Sequence, residues 1–257
     1  MNAPAQKIDS IKNEHIKLAR ELALPQCRRE TGFVVLYGED GIRWAHRYRC
    51  KLEYILCTQP LPQELKSAAD GTECFLIPEG ISKKVSGTSQ VIPYIAVASV
   101  VNDNINRSES AVVLDDVKDH GNIGTIIRTA AAFGFKNIVL TNTNNDIYYK
   151  NIINASRGTA LNVSYANIGI DRLICFLKKT GYVILSSSPY GSCGLQKAAQ
   201  SFAGRKIAVI LGNEANGVSD TLIEISDAVL RIDISSDVES LNVGVASGII
   251  LSALRQG

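Results

Sequence analysis

Apolar residues recur along this chain in two rhythms, one near every third or fourth position and one in unbroken runs of four to six. Across residues 7–24, Ile8, Ile11, Ile16, Leu18 and Leu22 interleave with lysine, glutamate and arginine, which predicts an amphipathic helix ended by Pro25. A β-rich run at 32–37 follows, then a helix over 38–49 that sets Arg43 and Arg47 one turn apart on one face. Further strands are expected at 52–57, 73–78 and 91–101. Beyond a polar stretch at 102–110, a buried-strand run at 111–115 leads through a Gly-Asn turn into an apolar helix over 123–133 and a strand at 137–141, which makes a βαβ unit. The alternation continues with a helix at 171–179, strands at 182–187, 207–212 and 228–234, and a helix at 243–253. Runs such as 207–211 are apolar without alternation, as a parallel sheet covered on both faces requires. Ligands of such sheets gather at the carboxyl ends of the strands.

These rhythms predict an α/β protein of two domains, a small one over residues 1–105 and a larger one over 106–257. With 46% hydrophobic and 20% charged residues, the 257-residue chain can build its own cores. Its six cysteines form no C-x-x-C pair and have no histidines at metal-ligand spacing, so free thiols and no metal are expected. Residues 1–12 are polar and no apolar run could span a bilayer; a cytoplasmic protein without a membrane partner is the expectation. A net charge of +2 announces no polyanion partner, and any nucleic-acid footprint must come from local clusters. Arg28, Arg29, Arg43, Arg47 and Arg49 form one such cluster, offset by Glu30, Glu39 and Asp40, so a merely solvated face is the competing reading.

Candidate chemistry lies in three polar segments, each directly behind an apolar strand. The first contains Asn122, Gly124, Arg128, Thr129 and Ala130 as N-x-G-x-x-x-R-T-A. The second runs Gly212-Asn213-Glu214, then Gly217 and Ser219, as G-N-E-x-x-G-x-S. The third is Glu239-Ser240-Leu241-Asn242-Val243, then Val245 and Ala246, as E-S-L-N-V-x-V-A before the last helix. In order and spacing, over about residues 111–254, these segments resemble the three motifs of the SpoU (TrmH) RNA 2'-O-ribose methyltransferases. The fragment Asn154-Ala155-Ser156-Arg157-Gly158 is similar to one found in members such as the thiostrepton-resistance ribosomal RNA methyltransferases. His120, where many members carry proline, and Gly244, where serine is frequent, are departures.

The resemblance implies a small L30e-like RNA-binding domain followed by a SPOUT parallel-sheet domain with a C-terminal trefoil knot. It implies S-adenosyl-L-methionine as cofactor, held by backbone groups at Gly212, Ile232 and Leu241, with Ser187 a further candidate. Backbone readout explains the lack of a G-x-G-x-x-G loop, since no pyrophosphate has to be cradled. The implied reaction moves a methyl group to a ribose 2'-OH of structured RNA, ribosomal rather than transfer RNA, in a homodimer where Arg128 of one chain serves the cofactor bound by the other. Arg128, Asn122, Glu214, Ser240 and Asn242 fall on the catalytic positions, and Arg43, Arg47 and Arg157 are the RNA-binding candidates. Alignment of donor and acceptor and removal of the hydroxyl proton are the two requirements. Because a guanidinium keeps its proton, Arg128 is open to two roles, a base in a strongly perturbed site or a phosphate clamp.

Structural readings compete at each position. Asn122 could serve only as a turn or cap, and Arg128 could pair with Glu214. Glu214 could complement a helix dipole, and Ser240 or Asn242 could cap the last helix. Trp44, Tyr48, Tyr148 and Tyr149 fit core packing better than base stacking. At the level of function the alternatives are a transfer RNA methyltransferase, a non-catalytic RNA-binding or ribosome-assembly protein on the same fold, and a dehydrogenase, the last disfavoured by the missing glycine fingerprint.

Overall fold

The computed structural model describes residues 6–100, 105–142 and 146–255; Val101 of the expected 91–101 strand and part of the polar 102–110 stretch lie outside them. The chain divides into two compact units, residues 1–102 with 148–150, and residues 103–147 with 151–257. In the first unit the elements run β1 (Gln6–Lys7), α1 (Glu14–Glu21), α2 (Pro25–Thr31), β2 (Phe33–Tyr37), α3 (Gly38–Arg47), β3 (Leu52–Cys57), α4 (Gln63–Lys66), β4 (Glu73–Leu76), α5 (Glu79–Ser86) and β5 (Tyr94–Ser99). They build a five-stranded mixed sheet in the order β1-β4-β3-β5-β2. Its core joins Ile8, Ile16, Leu22, Leu56, Phe75, Ile81 and Val97.

The helix expected over 7–24 is shorter than its periodicity suggests. Gln6 and Lys7 pair with β4 as a strand, and α1 starts only where Asn13 caps it by accepting the His15 N–H at 2.9 Å. Pro25 does not merely end that helix. It occupies the first turn of α2, where its missing N–H costs nothing and its fixed φ suits the helix.

The second unit runs β6 (Ala111–Asp115), α6 (His120–Ala132), β7 (Asn137–Leu140), α7 (Lys150–Ala155), a 3-10 turn (Thr159–Asn162), β8 (Ser164–Asn167), α8 (Ile170–Thr180), β9 (Val183–Ser187), β10 (Cys193–Gly194), α9 (Leu195–Ser201), β11 (Ile207–Gly212), α10 (Asp220–Glu224), β12 (Ala228–Arg231) and α11 (Val243–Ala253). All seven strands are parallel, in the order β10-β12-β9-β11-β6-β7-β8. The central strands β6, β7 and β11 are buried along their whole length, which is why their sequences lack alternation. One face packs Leu173, Leu177 and Leu222 against Val113, Ile184 and Ile210. α11 packs against α6 along a seam of small residues: a Cβ on Gly244 would stand 3.3 Å from the Thr125 methyl, and one on Gly248 would stand 3.8 Å from that of Thr129. β12 is shorter than the expected 228–234 strand, and residues 232–242 form an irregular segment leading to α11.

Candidate active site at the carboxyl edge of the parallel sheet

The register Gly212↔Asp115 brings β6 and β11 to a level edge, and Leu230↔Ser187 aligns β12 with β9 beside them. The three polar segments leave this edge. The first turns into α6, whose N-terminus is capped by Asp119: its Oδ1 accepts the Asn122 N–H at 2.7 Å. His120 therefore takes the first helical position, where proline is equally at home, so the departure at this residue leaves the turn intact.

Asn122 is thereby oriented at the start of the helix and is not the cap itself. Its Nδ2 donates to Glu214 Oε1 at 2.8 Å, and its Oδ1 accepts from Asn242 Nδ2 at 3.0 Å. One residue from each segment is thus tied into a single chain, Asn242 to Asn122 to Glu214. Asn242 also caps α11, its Oδ1 accepting the N–H groups of Gly244 and Val245 at 2.9 and 3.3 Å. Capping and cross-segment bonding are both satisfied by one amide, with oxygen and nitrogen assigned by these partners. Gly244 is buried beneath it, where a Cβ would stand 3.1 Å from Asn242 Oδ1.

A second network, not anticipated from the sequence, clamps the strand ends. The buried Asp115 carboxylate accepts the Ser219 N–H at 2.8 Å through one oxygen and the Thr141 hydroxyl at 3.0 Å through the other. Next to it, Asp116 adopts a left-handed φ of 52°, and its carbonyl accepts from Asn213 Nδ2 at 2.9 Å. Asn213 and Gly217 close the Glu214 loop through paired backbone bonds of 3.1 and 2.8 Å. The only local signal for this clamp is the pair of acidic residues ending a strand that is otherwise apolar.

Arg128 and Ser240 are not part of either network. Arg128 projects from the exposed stripe of α6 with Thr125 and Ala132, and no ion pair joins it to Glu214. Ser240 is exposed on the 232–242 segment. Among the cofactor candidates, Ile232 and Leu241 are half-buried on that segment, and Ser187 donates from its hydroxyl to Ile210 O at 3.1 Å. Gly212 is held against the Gly217–Val218 peptide so closely that a Cβ would lie 2.0 Å from Gly217 C. Only glycine fits there. The Ser219 hydroxyl, on the same loop, is buried without a protein partner. The orphaned Ser219 hydroxyl, on the loop that packs against the end of β11, fits S-adenosyl-L-methionine held near this edge.

The basic candidates separate by environment. Arg43 is exposed and pairs with Glu39 at 3.3 Å, and Arg47 is exposed on the same helix. Arg157 is exposed with a left-handed φ of 51°. Arg28 is buried instead: it donates to Leu22 O and Ala23 O at 2.7 and 3.0 Å and lies over the Tyr149 ring, which removes both residues from a phosphate- or base-binding face. Tyr148 is buried, and Trp44 and Tyr48 are half-buried. Among the described residues no group of histidine, cysteine, aspartate and glutamate side chains is placed to hold a metal, and no helix is long and apolar enough to cross a membrane.

Known proteins resemble this chain in sequence and in fold. The 23S rRNA (guanosine(2553)-2'-O)-methyltransferase RlmP of Bacillus subtilis is 26% identical over 252 residues, covering 97% of this chain and 99% of that protein. The 23S rRNA (adenosine(1067)-2'-O)-methyltransferase of Streptomyces azureus is 33% identical over 150 residues, 58% of this chain and 55% of its own length. The fold is shared with the AdoMet-bound rRNA methyltransferase from Sinorhizobium meliloti, at a TM-score of 0.81, 22% identity and 97% coverage of both chains. The model of the SpoU rRNA Methylase family matches residues 109–252, a span that holds all three segments and both hydrogen-bond networks. The chain belongs to the SpoU rRNA methylase family.

Proposed function

We propose that this protein methylates the ribose 2'-oxygen of a nucleotide in ribosomal RNA. The observation that carries the reading is the Asn242–Asn122–Glu214 chain, which joins the three polar segments at the carboxyl edge of the sheet. S-adenosyl-L-methionine supplies an electrophilic methyl group on a sulfonium. The protein's own work is to hold donor and acceptor in line and to manage the hydroxyl proton. Gly212, Ile232 and Leu241 offer main-chain groups for the cofactor, and Ser187 shapes the end of β9. Asn122, Glu214, Ser240 and Asn242 orient cofactor and substrate around it. The solvent-facing position of Arg128 supports the clamp role: five guanidinium N–H donors read a phosphate and draw the neighbouring 2'-OH toward ionisation. Arg43, Arg47 and Arg157 contact RNA backbone. Family membership and the rRNA-directed names of the relatives in Bacillus and Streptomyces support the substrate class.

The reading includes a trefoil knot around the cofactor. Support comes from Gly191, where a Cβ would stand 2.6 Å from the carbonyls of Val229 and Leu230, so the 188–194 loop lies directly on β12. It includes a homodimer as well. Val245 and Ile249, one turn apart on α11, are 55% and 39% exposed, an apolar pair that asks for cover.

Incubation of purified protein with unmodified ribosomal RNA and methyl-labelled S-adenosyl-L-methionine should leave label in alkali-resistant dinucleotides. Label on bases, or none in ribosomal RNA, would overturn the assignment. Arg128→Ala should retain cofactor binding and lose methylation.

A further inference from the structure

Among the described residues, Tyr190 is the aromatic side chain most open to water, at 91% exposure. Its backbone, in contrast, is fixed. Ser188 N–H donates to Leu230 O at 3.0 Å, Tyr190 N–H donates to Ser188 Oγ at 3.2 Å, and Gly191 N–H donates to Ser188 O at 3.1 Å. Gly191 is buried against β12 with no room for a side chain. Both ends of the turn are therefore anchored, and the ring at its tip is held out in one place. A ring on a tethered turn loses little freedom on meeting a partner, which is the condition for an efficient contact.

The location selects the partner. Tyr190 lies three residues beyond Ser187, at the edge where Gly212 and Ile232 also leave the sheet. Under the function proposed above, RNA must come to this edge, and a single nucleotide of structured RNA is singled out most readily in a loop or bulge, where its base can be splayed out of the stack. A displaced base loses the stacking energy of its neighbours, and an exposed aromatic plane restores it. We propose that Tyr190 is a substrate-positioning residue that stacks on an unpaired nucleobase at or beside the methylated nucleotide.

The inference rests on the methyltransferase reading, and the test separates the two. Wild type, Tyr190→Ala, Tyr190→Phe and Tyr190→Trp are compared on the same ribosomal RNA fragment for KM and kcat, with cofactor affinity and sedimentation measured in parallel. Tyr190→Ala should raise KM for RNA about tenfold or more, the size of one base–aromatic stack. Cofactor affinity and oligomeric state should not change, and both aromatic variants should restore KM. An unchanged KM in Tyr190→Ala, with active wild type, would overturn the stacking role alone. So would loss of cofactor binding, which would make the ring a cover for the methyl donor, or a shift in oligomeric state, which would make it a contact between copies. Inactive wild type would overturn the methyltransferase reading and the inference with it.

Discussion

Removing the Asn122 side chain would take the partner from the Glu214 carboxylate and from the Asn242 amide nitrogen, while Asn242 keeps its cap on α11 and neither residue is buried enough for the fold to depend on the lost bond. Asn122→Ala should therefore cost about 1 kcal/mol or less of stability while lowering kcat on the order of a hundredfold, the scale of a lost hydrogen bond to a charged group in a transition-state assembly. Steady-state kinetics alongside urea denaturation would separate the two effects. Asp115→Ala should do the reverse in weight: two partly buried donors, the Ser219 N–H and the Thr141 hydroxyl, would lose the buried carboxylate that accepts from them, at about 3 kcal/mol by denaturant unfolding. The contrast marks what was legible at this scale. Asn122, Glu214 and Asn242 could be named because motif spacing identifies them. The clamp formed by Asp115, Thr141 and Asn213 could not, although Asn213 stands in the second motif, since its bonds span 26 to 104 residues of chain and depend on strand register, which the sequence does not print.

Unbroken apolar strands and long periodic helices were readable, and helices under 8 residues were not. β6, β11 and α11 lie where their apolar runs place them, whereas α2, α4, α7, α9 and α10 are too short for a period to emerge. The false extension of α1 back to residue 7 arose because Ile8 fits a helical face as well as it fits the core directly after β1. For α11 the apolar excess was visible, and the fold divides it: Ile250, Leu251 and Leu254 are buried, and Val245 and Ile249 are not. If this pair covers a second copy, Val245→Asp with Ile249→Asp should convert a dimer to monomer by sedimentation and abolish methylation. Mixing an Arg128→Ala chain with a cofactor-site mutant should restore one working site per dimer; persistent inactivity after verified exchange would place Arg128 in its own chain's site.

Across the whole molecule, the α/β class and the parallel sheet followed from unbroken apolar strands, but strand order did not, because a covered strand reads the same at any interior position. Burial pushes the Tyr182 phenol up to about 12, and its hydroxyl donates to Glu109 O at 2.7 Å. Above the ordinary tyrosine range the unfolded chain gives up this proton while the folded chain keeps it, so the folded form binds more protons and stability falls as pH rises from about 10 to about 12. Alkaline unfolding of Tyr182→Phe should show a flatter slope in that window. β12 carries a consequence of another kind, because it lies between β9 and β10, both of which precede it in the chain. During translation the sheet must wait with an open slot until residues 228–231 emerge. A ribosome stalled near residue 225 would therefore present a nascent chain with an unpaired β9 edge and neither Asn242 nor α11, aggregation-prone and inert, so that quality control of this protein falls on the synthesis of residues 228–253.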